Sequence, residues 1–268
     1  MRPICFLSDF GLVDDFVGTC KGVMASIAPG VCIIDLTHDV PDFEIEAGAE
    51  FLQHATRYMP MDTVYLAVVD PGVGTDRRAI AIRTADGPMM VGPDNGLLIP
   101  AAKSLGNVSE AVELTNTGYQ IQPVSSTFHG RDIFSPAAAH LAAGEKLSDL
   151  GGEIEADSLV SMALPGFEMV SETTFKAQIL DIDRYGNARL SILQDEADLR
   201  YGAALAVDAG DGEMPVLYEA TFGAAGNGDL VLVPDSHWRL SLAIYKGNAA
   251  HALDLRPGCE IRLRKEIP

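Results

Sequence analysis

The sequence predicts an α/β chain: an N-terminal, mostly parallel sheet with helices on both faces, then a smaller C-terminal all-β barrel. Three observations predict it. Short apolar runs alternate with longer amphipathic ones through the first half, the signature of a parallel sheet covered on both sides. After about residue 150 the text changes to short alternating runs punctuated by Gly and Asn, the signature of a small barrel or sandwich. The length of 268 residues suits one large domain or two smaller ones.

The elements follow in order. Ile4-Cys5-Phe6-Leu7 reads as a buried strand ending at Ser8-Asp9, and residues 14–28 as a helix stopped by Pro29-Gly30. Val31 to Leu36 is the next strand. Pro41 to Tyr58 reads as a second helix, with Phe43, Ala47, Phe51 and Ala55 on one face at i, i+4 spacing. Thr63 to Val69 is a third strand, closed by Asp70-Pro71-Gly72. Strand-like text continues in Ala79 to Arg83 and Met89 to Val91, and helices are expected over Leu97 to Leu105 and Ile133 to Ala143. The expected domains are an α/β domain over 1–155, a linker over 156–172 and a barrel over 173–268. The barrel strands fall at Lys176 to Ile182, Arg189 to Ile192, Ala203 to Asp208, Val216 to Phe222, Leu230 to Val233, Leu240 to Ile244 and Ile261 to Leu263.

Composition narrows the function classes. Hydrophobic residues at 47% and charged residues at 21% describe a packed globular chain and exclude general disorder. Nineteen Lys and Arg against 38 Asp and Glu give a net charge of −19, which repels phosphate backbones and argues against nucleic acid as partner. No apolar run approaches the roughly 18 residues of a membrane span. Asp9 comes too early for a signal peptide, so a cytoplasmic protein without membrane association is expected. Cys5, Cys20, Cys32 and Cys259 are scattered without a CxxC pair, as reduced thiols in such a compartment would be.

In open parallel sheets ligands bind beyond the carboxyl ends of the strands. Asp9 follows the first strand, Asp35-Leu36-Thr37-His38-Asp39 the second, and Asp70-Pro71-Gly72-Val73-Gly74 the third. Each Asp could simply cap the next turn, but three acidic strand ends in a row suggest a polar cleft. Arg77, Arg78 and Arg131 are its candidate cations. The DPGVG loop lacks the third glycine of a dinucleotide fingerprint and the Lys of a phosphate loop. No HxxxH pair supports a metal; only convergence of Asp9, Asp70, His38 and His129 in space would make one. Ser125-Ser126-Thr127 lacks a nucleophile elbow and reads as a turn. His129, in Phe128-His129-Gly130-Arg131-Asp132, stands in a glycine-flanked loop just before a helix.

Several stretches together resemble one family. SDFG (Ser8 to Gly11), DDFVGTCKG (Asp14 to Gly22), VVDPGVGTDRR (Val68 to Arg78), GPDNGLL (Gly92 to Leu98) and FHGRDIFSPAAAHLA (Phe128 to Ala142) are similar to the S-adenosyl-L-methionine hydroxide adenosyltransferases. These are adenosine-forming hydrolases related to the fluorinases and chlorinases. DRYGN (Asp183 to Asn187), TFG (Thr221 to Gly223) and DSHWRLSLAIYKGNAA (Asp235 to Ala250) extend the likeness over nearly the whole chain in matching order.

The resemblance implies hydrolysis of S-adenosyl-L-methionine to adenosine and L-methionine, by attack of water or hydroxide on the ribose C5′, with no cofactor and no metal. It implies a catalytic set of Asp70, Arg77 and His129. The halogenases carry Tyr in place of Asp70 and a halide-binding Ser in place of Gly130, and both departures favour water as nucleophile. Asp9 matches the acid on the ribose hydroxyls and Phe43 an aromatic over the sugar. Asp183, Asn187 and Ser236 match positions at the methionine end, Tyr185 and Phe222 aromatics around the adenine. His237-Trp238 departs from the small pair usual near the methionine carboxylate. The resemblance also implies a homotrimer with the ligand at the subunit interface.

These residue types suit the reaction. The sulfonium leaves as a neutral thioether, so no general acid is needed, and a nucleophile must stand about 3 to 3.5 Å from C5′ in line with the C5′–S bond. The opposite charges of hydroxide and sulfonium fade in the transition state, so a dry pocket that keeps one oriented water accelerates the step. Which of Asp70, Arg77 and His129 takes the proton stays open at this level. The competing readings are a non-catalytic S-adenosylmethionine or adenosine binder, a halogenase, and a metal-dependent hydrolase.

Overall fold

The computed structural model describes residues 1–210 and 212–266. The chain divides into two compact units, Met1–Leu164 and the residues from Pro165 onward.

The first unit is built on seven strands: β1 (Ile4–Ser8), β2 (Ile33–Thr37), β3 (Val64–Val68), β4 (Ala79–Thr84), β5 (Met89–Pro93), β6 (Val108–Glu113) and β7 (Gly152–Glu153). Their order across the sheet is β2-β1-β3-β5-β4-β6-β7. The first four positions are parallel, as expected, and β4, β6 and β7 continue the sheet antiparallel. β1 and β3 are buried at every position. Ile4, Phe6, Val64, Leu66 and Val68 pack on one side with α1 (Phe16–Ile27) and α4 (Ser135–Ala143). Cys5, Leu7, Tyr65 and Ala67 pack on the other with α2 (Ile45–Ala55) and α3 (Ile99–Ser104). Two apolar faces on one strand are what a parallel sheet between helical layers requires.

The order 2-1-3 reverses direction between β1 and β3, and such a switch point opens a crevice at the strand carboxyl ends. The residues that follow those two strands are Asp9 and Asp70.

Several boundaries differ from the expected ones. α2 begins at Ile45 rather than Pro41, because Phe43 adopts a left-handed φ of 66° and breaks the helical path. Phe43 is therefore not on the α2 face. A π-helical turn, Gly130–Phe134, precedes α4. β6 was not expected from the sequence: in Val108–Glu113 only Ala111 and Val112 are buried, which leaves no clear period.

The second unit contains β8 (Glu168–Met169), β9 (Thr174–Ile182), β10 (Ala188–Leu193), β11 (Ala203–Asp208), β12 (Glu213–Tyr218), β13 (Leu230–Pro234), β14 (Arg239–Ile244) and β15 (Glu260–Lys265), with a short α5 (Ala249–Ala252). Strands β10-β14-β13-β12-β11-β15-β9 form a ring that the β9–β10 pairing closes. Phe175, Ile179, Leu190, Leu205, Tyr218 and Leu242 are among the residues that fill it. Among the described residues no helix is long and apolar enough to cross a membrane.

Candidate active site

Beyond β3 the chain turns sharply through Asp70-Pro71-Gly72-Val73-Gly74. Val73 N–H donates to Asp70 O and Thr75 N–H to Gly72 O. Gly74 has φ +77°, and a Cβ there would lie 2.3 Å from the Ser126 carbonyl oxygen, so only glycine fits. The turn brings Arg77 back onto Asp70. Its Nε donates to Asp70 Oδ1 at 3.1 Å and its Nη2 to Oδ2 at 2.5 Å, a bidentate pair whose side chains are 8% and 6% exposed. The guanidinium lies 5.2 Å from the Phe134 ring centroid.

Nη2 of Arg77 also reaches Nδ1 of His129 at 3.0 Å. A guanidinium can only donate, so Nδ1 is the acceptor and the proton of the neutral ring sits on Nε2. Burial, reinforced by the Arg77 charge, holds the His129 pKa below its ordinary value, so the ring is neutral at pH 7. Arg77 Nη1 is buried and has no hydrogen-bond acceptor among the described residues.

His129 and Asp70 border a cleft of about 310 Å³ that is also lined by Asp9, Phe10, Phe16, Asp42, Phe43, Val68, Val73, Thr127, Phe128 and Gly130. Phe10 packs edge-on against Phe16 and Phe128, making one wall aromatic. Asp9, at the end of β1, accepts the Phe43 N–H at 3.2 Å through Oδ2. The left-handed backbone of Phe43 thus aims its N–H at Asp9 and leaves its ring on the cleft, 68% exposed. Burial raises the Asp9 pKa, and the nearby carboxylates Asp42 and Asp70 raise it further.

Gly130 is held to its size. A Cβ there would lie 2.8 Å from Phe10 Cζ and 3.3 Å from Phe128 Cε2. The space that a side chain at position 130 would need is therefore filled by the aromatic wall.

The other expected cations are turned to structural tasks. Arg78 pairs with Asp94 and donates to Ser158 Oγ and O, and Arg131 pairs with its neighbour Asp132. At the carboxyl end of β2, Asp35 and His38 do not line the cleft. Among the described residues no group of three or more His, Cys, Asp or Glu side chains is placed to hold a metal ion. Asp42, Phe10, Phe16 and Phe128 escaped the sequence reading as site residues. Phe10 and Phe128 flank Asp9 and His129 in sequence, the one signal that pointed to them.

Comparison with known proteins bears on this site. The profile of the SAM hydroxide adenosyltransferase N-terminal domain matches residues 4–151, and that of the C-terminal domain matches residues 177–262. The chain belongs to this family. It is 42% identical to an (R)-S-adenosyl-L-methionine hydrolase from Salinispora tropica over 264 residues, covering 97% of each chain. It is 38% identical to one from Thermus thermophilus, covering 98% of this chain and 100% of the other. A fluorinase from Actinoplanes is 31% identical over 98% of this chain and 97% of its own. The crystal structure of an uncharacterized conserved protein from Thermotoga maritima superposes with a TM-score of 0.91 at 34% identity, covering 97% of this chain and 99% of that one.

The other residues that the resemblance implies for substrate binding lie in three connections of the barrel unit. Asp183, Tyr185 and Asn187 share the β9–β10 turn. Asp183 Oδ1 accepts the N–H groups of Tyr185 and Asn187, and its Oδ2 accepts the Asn187 amide at 2.7 Å. Gly186, at φ +84°, leaves room for Asn248, whose Cγ would lie 2.1 Å from a Cβ. Tyr185 and Phe222 are exposed aromatics, Phe222 starting a short helical turn within the connection between β12 and β13. Ser236 stands in the β13–β14 turn, where Asp235 Oδ1 accepts the N–H groups of His237 and Arg239.

Proposed function

We propose that this chain hydrolyses S-adenosyl-L-methionine to adenosine and L-methionine, and that its substrate is the (R) epimer at the sulfonium sulfur named for its relatives. The observation that carries the reading is the contact of Asp70, Arg77 and His129 at the edge of an aromatic-walled cleft that Asp9 also lines.

The electron balance is simple. An oxygen lone pair of water forms the O–C5′ bond as the C5′–S pair withdraws onto sulfur, leaving methionine as a neutral thioether. The water proton passes to Asp70, because Nε2 of the neutral His129 already carries one and Nδ1 is engaged by Arg77. His129 orients the nucleophile through Nε2–H, and Arg77 holds both partners in place. The phenylalanine wall excludes other water, which speeds a step whose charges disperse. Asp9 accepts the two ribose hydroxyls, which two carboxylate oxygens suit. The carboxylates Asp9, Asp42 and Asp70 favour a cationic sulfonium over the neutral product.

The chemistry needs no cofactor and no metal. Phe43 is assigned to the sugar, Tyr185 and Phe222 to the adenine, and Asp183, Asn187 and Ser236 to the methionine end, on the family resemblance. A homotrimer is taken on the same ground. Four free cysteines suit a reducing cytoplasm.

The test is a time course with each sulfonium epimer. Adenosine and methionine in equal amounts, formed faster from the (R) epimer, support the proposal, and no adenosine from either overturns it. Asp70→Asn should lower kcat by about 10²- to 10⁴-fold while adenosine still binds; native turnover in that variant removes Asp70 from the reaction.

A further inference from the structure

Behind the cleft, β1 and β2 run in register up to Phe6 and Asp35, but the next pair is Leu7 with Thr37, so Leu36 is an extra residue on β2. A bulge of this kind re-aims the residues beyond it. Here it delivers His38, 3% exposed, to the fully buried Ser8 at the end of β1.

The contacts form a chain. Ser8 Oγ is 2.7 Å from His38 Nδ1, His38 Nε2 is 3.1 Å from Asp35 Oδ1, and Lys21 Nζ is 2.5 Å from Asp35 Oδ2. The carboxylate accepts, so in the neutral ring Nε2 carries the proton and Nδ1 receives the Ser8 hydroxyl. The Ser8 oxygen in turn faces the Phe10 N–H at 3.4 Å. The backbone doubles the link: Gly11 N–H donates to His38 O at 2.7 Å, and Val40 N–H to Ser8 O at 3.4 Å. The Phe6 ring packs edge-on against the imidazole at 4.6 Å.

None of these side chains lines the cleft. Both segments they join enter it, one as Asp9-Phe10 and the other, past Val40, as Asp42-Phe43. The Asp9 carboxylate and the Phe43 N–H that it accepts therefore hang from the same buried staple.

We propose that His38, with Ser8 and Asp35, is a positioning residue that fixes the Asp9 carboxylate for the vicinal diol of the ribose. The proposal rests on the assignment of Asp9 to the ribose hydroxyls. A general structural role would weaken every ligand alike, whereas a role in aiming Asp9 weakens only ligands that carry the diol.

The experiment is calorimetric binding of adenosine and of 2′,3′-dideoxyadenosine to the wild-type protein and to Asp9→Asn, Ser8→Ala and His38→Ala. Wild type should prefer adenosine, and Asp9→Asn should abolish the preference. Ser8→Ala and His38→Ala should each weaken adenosine about tenfold, with dideoxyadenosine affinity unchanged. If His38→Ala does not fold, Ser8→Ala, which removes one oxygen, decides alone. Equal losses for both ligands, or no loss for either, overturn the positioning role while the Asp9→Asn result stands. If wild type shows no preference for the diol, the assignment of Asp9 falls and this proposal falls with it.

Discussion

Nη2 of Arg77 donates to Nδ1 of His129 at 3.0 Å while also pairing with Asp70. This contact decides the histidine's tautomer, and in the proposed mechanism it thereby sets the route of the proton. A ring whose Nδ1 is occupied and whose Nε2 is protonated is a donor, not a base. An asparagine can accept from Arg77 and donate onward in the same way. His129→Asn is therefore expected to keep kcat within about tenfold of wild type, whereas loss of a general base costs about 10²- to 10⁴-fold. Steady-state kinetics at neutral pH distinguish the two.

The same contact sets the titration of His129. Burial first, then the Arg77 charge, disfavours the imidazolium, so the folded protein protonates His129 below the ordinary 6.5 at which the unfolded chain does so. The contribution to stability is thus whole above pH 6.5 and is lost as pH falls from there toward the lowered folded value. An NMR titration should place the His129 midpoint below 6.5 and move it upward in Arg77→Met. A midpoint that stays put or falls in that variant contradicts the assignment.

Asp9 titrates in the opposite sense. Its pKa is raised chiefly by burial, and also by Asp42 and Asp70, while the diol is best accepted by the ionised form. Adenosine affinity should fall as pH drops through the raised value. Asp42→Asn removes one of the raising charges, so the fall should move to lower pH. Calorimetry across the acid range checks it; an unmoved or upward-shifted midpoint counts against the coupling.

Gly130 and Phe10 share one volume. A Cβ at 130 would lie 2.8 Å from Phe10 Cζ, so Gly130→Ser is expected to cost about 1–3 kcal/mol of stability by overpacking. Phe10→Leu in the same chain should recover part of that loss. Denaturant unfolding of both single variants and the double variant measures the coupling, and a Gly130→Ser protein as stable as wild type would show that the wall yields freely.

Much of this site was legible because its acids follow strands whose nature is written in local text. β1 and β3 are short apolar runs, so Asp9 and Asp70 could be placed at strand ends from the sequence alone. Arg77 stood among three candidate cations and His129 in a glycine-flanked loop, and the family resemblance chose these two as partners of Asp70. What local text does not carry is set by backbone geometry and convergence. Pro41-Asp42-Phe43 reads as a helix start, yet the left-handed φ of Phe43 excludes it from α2 and hands its N–H to Asp9. Leu36 looks like any strand residue, but its bulge brings His38 to Ser8. Arg77 and Arg78 are neighbours of one type; Arg77 meets Asp70 and His129, whereas Arg78 meets Asp94 and Ser158. The aromatic wall joins Phe10 and Phe16 to Phe128, which comes from a distant stretch.

The origin of the new C5′–O bond tests the central claim most directly. S-adenosyl-L-methionine supplied in ¹⁸O-labelled water should give adenosine with the label at the 5′-oxygen and methionine without it. Adenosine carrying an unlabelled 5′-oxygen would mean that solvent water is not the nucleophile, and would contradict the account.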